Sequence, residues 1–428
     1  MTSFENVQFI NSYTEDNFVG LKYKKDTINI YLPLGYEINR TSENNEISSI
    51  ELKTRILLLL KSISLVRSYD KSKNAFGQNV GENKEIPFNS FLWLINDYFN
   101  NGLYQEIDKK YTKKNQGKIN WKKTLNSEHY FSNNNVIIIN PYYETNYQKD
   151  NMITELNNYC VKKSLDYIGF LFGKVNLPDT KINKEKIQAN KKYYLNLLNK
   201  ELLHSFNDRK KSLLIHMKRI IDMSYDEDME TQGTYGTYRY EYVWEKLVNE
   251  TLGTKSINIS DYFPEAYWKI INKKREKDKS KLRPDTILKD KVNNKMYILD
   301  AKYYKYGITG RIQDLPHTDS IQKQITYGDH IANNKEIYKI EANNIYNAFV
   351  LPYNKNDNLF ELTNNIEYYG FAESDWRKQI ETLNYEKVAL ILMDTKYLID
   401  CYFKKDKVEI EKLVSSIERI NKKNNEDN

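Results

Sequence analysis

Long apolar runs are missing from this sequence. The longest, Ile56 to Leu60, is far short of the ~20 residues needed for a membrane-crossing helix, so no helical membrane span is expected. Cysteine is nearly absent. Cys160 and Cys401 stand alone, too few and too far apart for a disulfide framework or a zinc site. The histidines (His129, His204, His216, His317 and His330) show no metal-ligand spacing, and only His317, in a predicted loop, merits a test. Gly253-Thr254-Lys255-Ser256 lacks the spacing of a phosphate-cradling loop, and no other P-loop is visible. The first residues, Met1-Thr2-Ser3-Phe4-Glu5-Asn6, have neither a basic flank nor an apolar core. No secretory signal is therefore expected, and the chain reads as cytoplasmic.

What is present fits a multi-domain globular protein. The 428 residues exceed one typical domain of ~150 residues. Hydrophobic residues make up 40% and charged residues 29%, a balance that excludes a wholly disordered chain. Lys plus Arg number 65 against 58 Asp plus Glu, for a net charge of +7. Spread evenly, that excess would say nothing about a partner, but it is gathered locally. Lys109, Lys110, Lys113, Lys114, Lys118, Lys122 and Lys123 occur without an intervening acid, with Tyr111 and Trp121 among them. A second cluster runs from Lys269 to Lys281. Such clusters can track phosphates while aromatics stack on sugars or bases, although a solvated lysine-rich face has the same composition.

Residues 7 to 38 alternate like strands and end at Pro33-Leu34-Gly35. From Ser48 the apolar spacing turns helical, through Leu52, Ile56, Leu59 and Leu60, then Phe91, Leu94, Ile95 and Tyr98. Asn134 to Asn140 reads as a short buried strand, followed by helices over about Asn151 to Phe172 and Lys184 to Met223. Gly233 to Gly236 reads as a hinge. A helix over Tyr240 to Leu252 then precedes two strands, Arg283 to Leu288 and Met296 to Tyr304. Next come a helix over Asp319 to Ile331 capped by Asp319 or Ser320, strands at Asn347 to Leu351 and Val388 to Met393, and a helix near Val408 to Ile420. Strands separated by helices predict an α/β domain from about residue 226 onward.

Chemistry concentrates in Arg283-Pro284-Asp285 and Asp300-Ala301-Lys302. Pro284 sets the chain at a strand's start. If the two strands pair as a hairpin, Asp285 and Asp300 meet at one rim. Lys302, two positions after Asp300, projects to the same face. Two close carboxylates repel, and one binds a proton unless a cation offsets the charge. A hard divalent ion does so, and Mg²⁺ takes one or two carboxylates plus waters and phosphate oxygens. It also lowers the pKa of bound water and polarises a phosphate, as phosphodiester hydrolysis needs. A strand-end Asp is ordinarily a turn former or half of a surface ion pair. The apolar run Tyr297-Ile298-Leu299 directly before Asp300 favours the catalytic reading, because an idle charge there is costly.

These residues resemble the PD-(D/E)xK nucleases, and more closely the LlaJI-type restriction endonucleases, relatives of the McrC nuclease subunit. The resemblance runs in order through Gly117-Lys118-Ile119-Asn120-Trp121-Lys122-Lys123-Thr124, Trp244-Glu245-Lys246-Leu247, the two signature segments, Leu315-Pro316, and Asp319-Ser320-Ile321-Gln322-Lys323-Gln324 with Tyr327. It implies an α/β fold with a C-terminal PD-(D/E)xK core, a mixed central sheet flanked by helices. A β-then-mostly-helical N-terminal region precedes it, dividing as 1–225 for DNA or partner binding and 226–428 for cutting. It implies a Mg²⁺-dependent, type II-like restriction endodeoxyribonuclease acting on double-stranded DNA with one or two Mg²⁺ per site. Asp285, Asp300 and the Ala301 carbonyl would hold the metal, Lys302 would be the catalytic lysine and Glu245 a supporting acid. Gln324 and Tyr327 would contact the DNA backbone or position the metal's surroundings. Lys118, Trp121, Lys122 and Lys123 are the further DNA-binding candidates. The chain would cut alone, or as a McrC-like subunit with a separate NTP-driven motor. A repair nuclease with the same core is the rival reading, as is a non-catalytic scaffold. A homodimer or sequential nicking is expected for cutting two strands, and a cognate DNA methyltransferase is the expected companion in a restriction system.

Overall fold

The computed structural model describes residues 7–14, 17–24, 27–38, 41–42, 45–46, 49–67, 86–127, 130–132, 135–138, 140–149, 151–173, 175–223, 232–271, 276–277, 282–376, 383–405 and 408–421. The chain opens with strands β1 (Val7–Asn11), β2 (Val19–Lys24) and β3 (Thr27–Leu32) and helices α1 (Ser49–Arg67) and α2 (Phe88–Asn101). Next come β4 (Glu106–Thr112), β5 (Lys118–Ile119), α3 (Trp121–Leu125), β6 (Tyr143–Lys149) and α4 (Met152–Ile168). The helix expected over Lys184 to Met223 is three helices: α5 (Lys184–Ala189), α6 (Lys191–His204) and α7 (Asp208–Met223). The breaks fall at Asn190 and at Ser205-Phe206-Asn207, where the side chains of Asn190, Ser205 and Asn207 bond nearby backbone groups. Then follow β7 (Gln232–Thr237), α8 (Tyr240–Leu252), β8 (Thr286–Asp290), β9 (Lys295–Ala301), α9 (Thr318–Asn333), β10 (Ile345–Tyr353), β11 (Ile366–Ala372), β12 (Val388–Asp394), α10 (Thr395–Lys404) and α11 (Ile410–Ile417). The expected strand near Asn134 is half of a small hairpin, Tyr130–Ser132 against Asn135–Ile137.

By packing, the chain forms two units. One comprises Met1–Asn6, Lys24–Asp26 and Asn83–Gly233, and the other Val7–Tyr23, Thr27–Glu82 and Thr234–Asn428. The expected passage after residue 225 lies close to the one at 233/234. Residues 7–23 and 27–82, expected with the N-terminal region, instead group with the C-terminal unit. The reason is the sheet in strand order β1-β3-β2-β7: its last strand immediately precedes α8, so the N-terminal strands are built onto the C-terminal unit. Gly236 is no hinge. It lies within β7, where a Cβ would stand 2.3 Å from the Phe18 ring and 2.4 Å from the Val19 carbonyl. Glycine is needed there for close strand approach.

The central sheet of the C-terminal unit runs β8-β9-β10-β12-β11. β8 and β9 pair antiparallel, β9, β10 and β12 are parallel, and β11 closes the far edge antiparallel. This is the mixed sheet flanked by helices that the sequence predicts. β10 and β12 are buried at every position, which explains their continuous apolar runs and their legibility as strands. On one face α9 contributes Tyr327 and Ile331 against Ile287, Met296, Ile298 and Ile345, and Ile325 against Phe349, Val388 and Leu392. Fully burying each such aliphatic side chain stabilises by roughly 1.5–3 kcal/mol. α8 packs against α1, α10, β8 and β9 through its buried Tyr240, Val243, Trp244, Leu247 and Leu252. No helix among the described residues is long and apolar enough to cross a membrane.

Candidate active site

The site begins with the β8–β9 ladder. Thr286 lies opposite Leu299, so the next positions outward, Asp285 and Asp300, face one another. Pro284 is buried directly before them and holds the approach in extended backbone. The Ala301 N–H donates to Asp285 Oδ2 at 3.0 Å, tying the first aspartate to the strand that carries the second. The two carboxyls are themselves in hydrogen-bond contact. Lys302 Nζ lies 2.8 Å from Asp300 Oδ2. The strand expected to reach Tyr304 ends at Ala301, yet the Lys302 N–H still donates to the Val350 carbonyl at 3.0 Å. The three side chains that the sequence groups together are brought together.

Glu245 arrives from α8. Its neighbour Trp244 is fully buried and donates its indole N–H to the same Val350 carbonyl at 3.2 Å. One backbone oxygen on β10 thus anchors both the helix bearing Glu245 and the residue Lys302. Burial raises the Glu245 pKa, helped by the charges of Asp300 and Glu241 and opposed by Lys302 and Arg239, to about 7.

Burial likewise raises the Asp285 pKa, and the charge of Asp300, the hydrogen bond between the two and the charge of Glu245 add to it. Burial alone would lower the Lys302 pKa, but Asp300 and then Asp285 more than offset it and hold it above the ordinary lysine value. Without a further cation, two ionised carboxylates are unfavourable here. Two adjoining carboxylates are oxygen donors suited to a hard divalent ion. Among the described residues no group of three or more His, Cys, Asp or Glu side chains is placed to hold a metal ion.

The Glu245 shift has a measurable consequence. Because its folded pKa lies above the ordinary 4.5, its contribution to stability is complete below pH ~4.5 and is lost as pH rises through ~7. In metal-free buffer, Glu245→Gln raises the thermal midpoint relative to wild type increasingly across that window. A difference that stays flat from pH 4 to pH 8 refutes the environment described.

α9 braces both strands. Gln324 is fully buried and donates to the Ile298 carbonyl at 2.7 Å, while the Tyr327 hydroxyl donates to the Arg283 carbonyl at 2.9 Å. Each bond lands two residues before an aspartate. Of the two roles expected of Gln324, contacting the DNA backbone or positioning the metal's surroundings, its enclosed place, with the side-chain NH2 bonded inside the protein, is compatible with the second. Tyr327, nearly buried, likewise acts on the chain leading to Asp285. The expected cap is displaced too: α9 begins at Thr318 with His317 at its N-cap, so Asp319 and Ser320 lie in the first turn.

The remaining DNA-binding candidates belong to the other unit. Its sheet, in strand order β4-β6-β5, is antiparallel. Lys118 sits on β5, and Trp121, Lys122 and Lys123 form the start of α3, whose cap Asn120 accepts from the Lys123 N–H at 2.9 Å. Trp121 is exposed. Lys123 Nζ lies 4.1 Å from the Tyr111 ring centre, and a groove of about 560 Å³ is lined by Lys109, Lys110, Tyr111 and Lys123. Most of the second basic cluster, from residue 272 to 281, lies outside the residues whose side chains are described. Sequence reading missed Tyr303, which follows Lys302 and whose hydroxyl is enclosed; adjacency to Lys302 was the only available signal.

A sequence model of the family described as LlaJI restriction endonuclease matches residues 18–406. A curated relative from Bacillus subtilis (strain 168), described as Type II restriction enzyme BsuMI component YdjA, is 24% identical over 339 residues, covering 75% of this chain and 67% of the relative. Among solved structures, a chain from an assembly of Thermococcus gammatolerans McrB AAA+ hexamers with bound McrC is similar at a TM-score of 0.39 and 13% identity, over 94% of this chain and 83% of that one.

Proposed function

Because the chain belongs to the LlaJI restriction endonuclease family, we propose that it is a Mg²⁺-dependent nuclease of the PD-(D/E)xK type that hydrolyses phosphodiester bonds in double-stranded DNA within a restriction system. The observation that carries this reading is the hydrogen-bond contact between Asp285, directly before β8, and Asp300 on the paired strand β9, with Lys302 Nζ 2.8 Å from Asp300. Asp285, Asp300 and the Ala301 carbonyl would hold the ion, which supplies Lewis-acid polarisation of the scissile phosphate and acidifies a water. Lys302 offers an ammonium fixed by Asp300, placed to orient the attacking water and to stabilise charge developing on the phosphate. Glu245 borders them from α8 as a supporting acid. Gln324 and Tyr327 keep the two aspartate-bearing strands in register with α9. In the other unit the lysines at 118, 122 and 123, with Trp121, supply a salt-dependent hold on DNA phosphates.

One observation favours a subunit over a stand-alone enzyme: the curated relative is described as a component of its restriction enzyme. With no P-loop in this sequence, an NTP-driven motor would be a separate chain. Cutting both strands calls for a homodimer or for sequential nicking, and a cognate methyltransferase would protect the host's own sites.

The test incubates the full chain with methylated and unmethylated plasmid in Mg²⁺ or in EDTA. Each arm is run alone and with the NTPase of the same system plus NTP. Cleavage that requires Mg²⁺ is expected. Cleavage that persists in EDTA, or none in any arm, overturns the reading.

A further inference from the structure

Lys302 lies one residue beyond the end of β9, so the ladder does not by itself set the direction of its side chain. Its N–H is tethered to Val350, and the next constraint along the chain is Tyr303. The Tyr303 hydroxyl accepts the Leu34 N–H at 2.7 Å and is within hydrogen-bond reach of Ser12. Its ring centre lies 5.4 Å from that of Tyr240 and 6.3 Å from that of Trp244, against the buried side of α8.

Leu34 is held from a second direction, since Thr395 Oγ1 donates to its carbonyl at 2.7 Å. The next residue, Gly35, has a φ of +70°, and a Cβ there would lie 2.5 Å from the Tyr353 carbonyl. That position needs glycine on both counts. Tyr303 follows β9, Tyr353 ends β10 and Thr395 follows β12. The turn Pro33-Leu34-Gly35 is therefore seated at the carboxyl ends of three adjacent parallel strands, and all of these residues belong to one unit.

We propose that Tyr303 is a positioning residue for Lys302, and that the turn at residues 33–35 is the fixed point against which it holds. The inference rests on the nuclease reading for the role of Lys302 and assigns that role a support from the opposite end of the sequence. Removing the Tyr303 oxygen frees the backbone after Lys302 while leaving the ring in place, so the ammonium loses its fixed direction beside Asp300.

Tyr303→Phe tests this, with two readouts on the full chain. The first is the rate at which an amine-acylating reagent modifies Lys302, read by mass spectrometry against Lys295, which is paired with Glu418. The second is plasmid cleavage under whichever arm above is active. Displacement of a catalytic group by a fraction of an ångström lowers rates steeply, so kcat is expected to fall about tenfold, with KM for DNA within about twofold and Lys302 acylation up by about threefold. Tyr235→Phe is the control: a fully buried tyrosine whose hydroxyl donates to the Leu60 carbonyl, expected to lose stability and to leave both readouts alone. Thr395→Val loosens the same turn from the other side, and a smaller change in the same direction is expected.

If Tyr303→Phe and Tyr235→Phe behave alike in both readouts, the positioning role is overturned. If Lys302→Ala still cleaves, the nuclease reading falls instead, and the acylation rates still decide what Tyr303 does.

Discussion

Asp300→Ala and Lys302→Ala each lower plasmid cleavage by at least about 10³-fold, the scale on which loss of a group aimed at developing charge is felt. The thermal midpoint of the Asp300 variant holds or rises in metal-free buffer. The sign holds above the raised Asp285 pKa: there both carboxyls are ionised and repel, and deleting Asp300 removes that repulsion against the loss of its ion pair with Lys302. Lys302 is half-buried and paired with Asp300, so its loss leaves two carboxylates facing each other, and the Lys302 variant is less stable than the Asp300 variant above neutral pH. Cleavage rates and thermal midpoints measured side by side check both halves. A variant that keeps a tenth of wild-type activity would remove that residue from the reaction.

Trp244→Ala has the largest effect on stability. The indole is fully buried on α8 and donates to the Val350 carbonyl at 3.2 Å. Its removal costs about 3–5 kcal/mol for lost burial and the cavity left behind. Trp244→Phe fills much of that space but strands one acceptor, and costs less. Urea denaturation of the C-terminal unit's signal reads these differences. Activity falls in the alanine variant even where the protein is folded, because the same contact places Glu245. A loss below 1 kcal/mol for Trp244→Ala would show that α8 is held by other means.

The sequence was legible where burial is complete or pairing is local. β10 and β12 announce themselves through unbroken apolar runs, and the β8–β9 hairpin through its polar turn. β11 went unread because it is an edge strand with alternating exposure and a shift of register between Tyr368 and Phe371. α10 went unread as well. It follows β12 without a loop, Asp394 both ending the strand and capping the helix by accepting the Tyr397 N–H at 2.7 Å. Gln324 was legible only in part: the sequence left it between a contact to the DNA backbone and a place around the metal, and its bond to Ile298 is set by where α9 packs.

Two strand-end aspartates and a lysine two positions on were set by the chain alone, since antiparallel pairing across a short turn and the two-residue strand period are local properties. Family membership followed from the same ordered segments. What holds that centre in place was decided by tertiary structure. The Val350 carbonyl shared by Trp244 and Lys302, the α9 bonds placed before each aspartate, and the bond from Leu34 to Tyr303 across 269 residues join segments with no local reason to meet. Such contacts depend on how helices and turns close over the sheet, and no spacing rule within one segment encodes them.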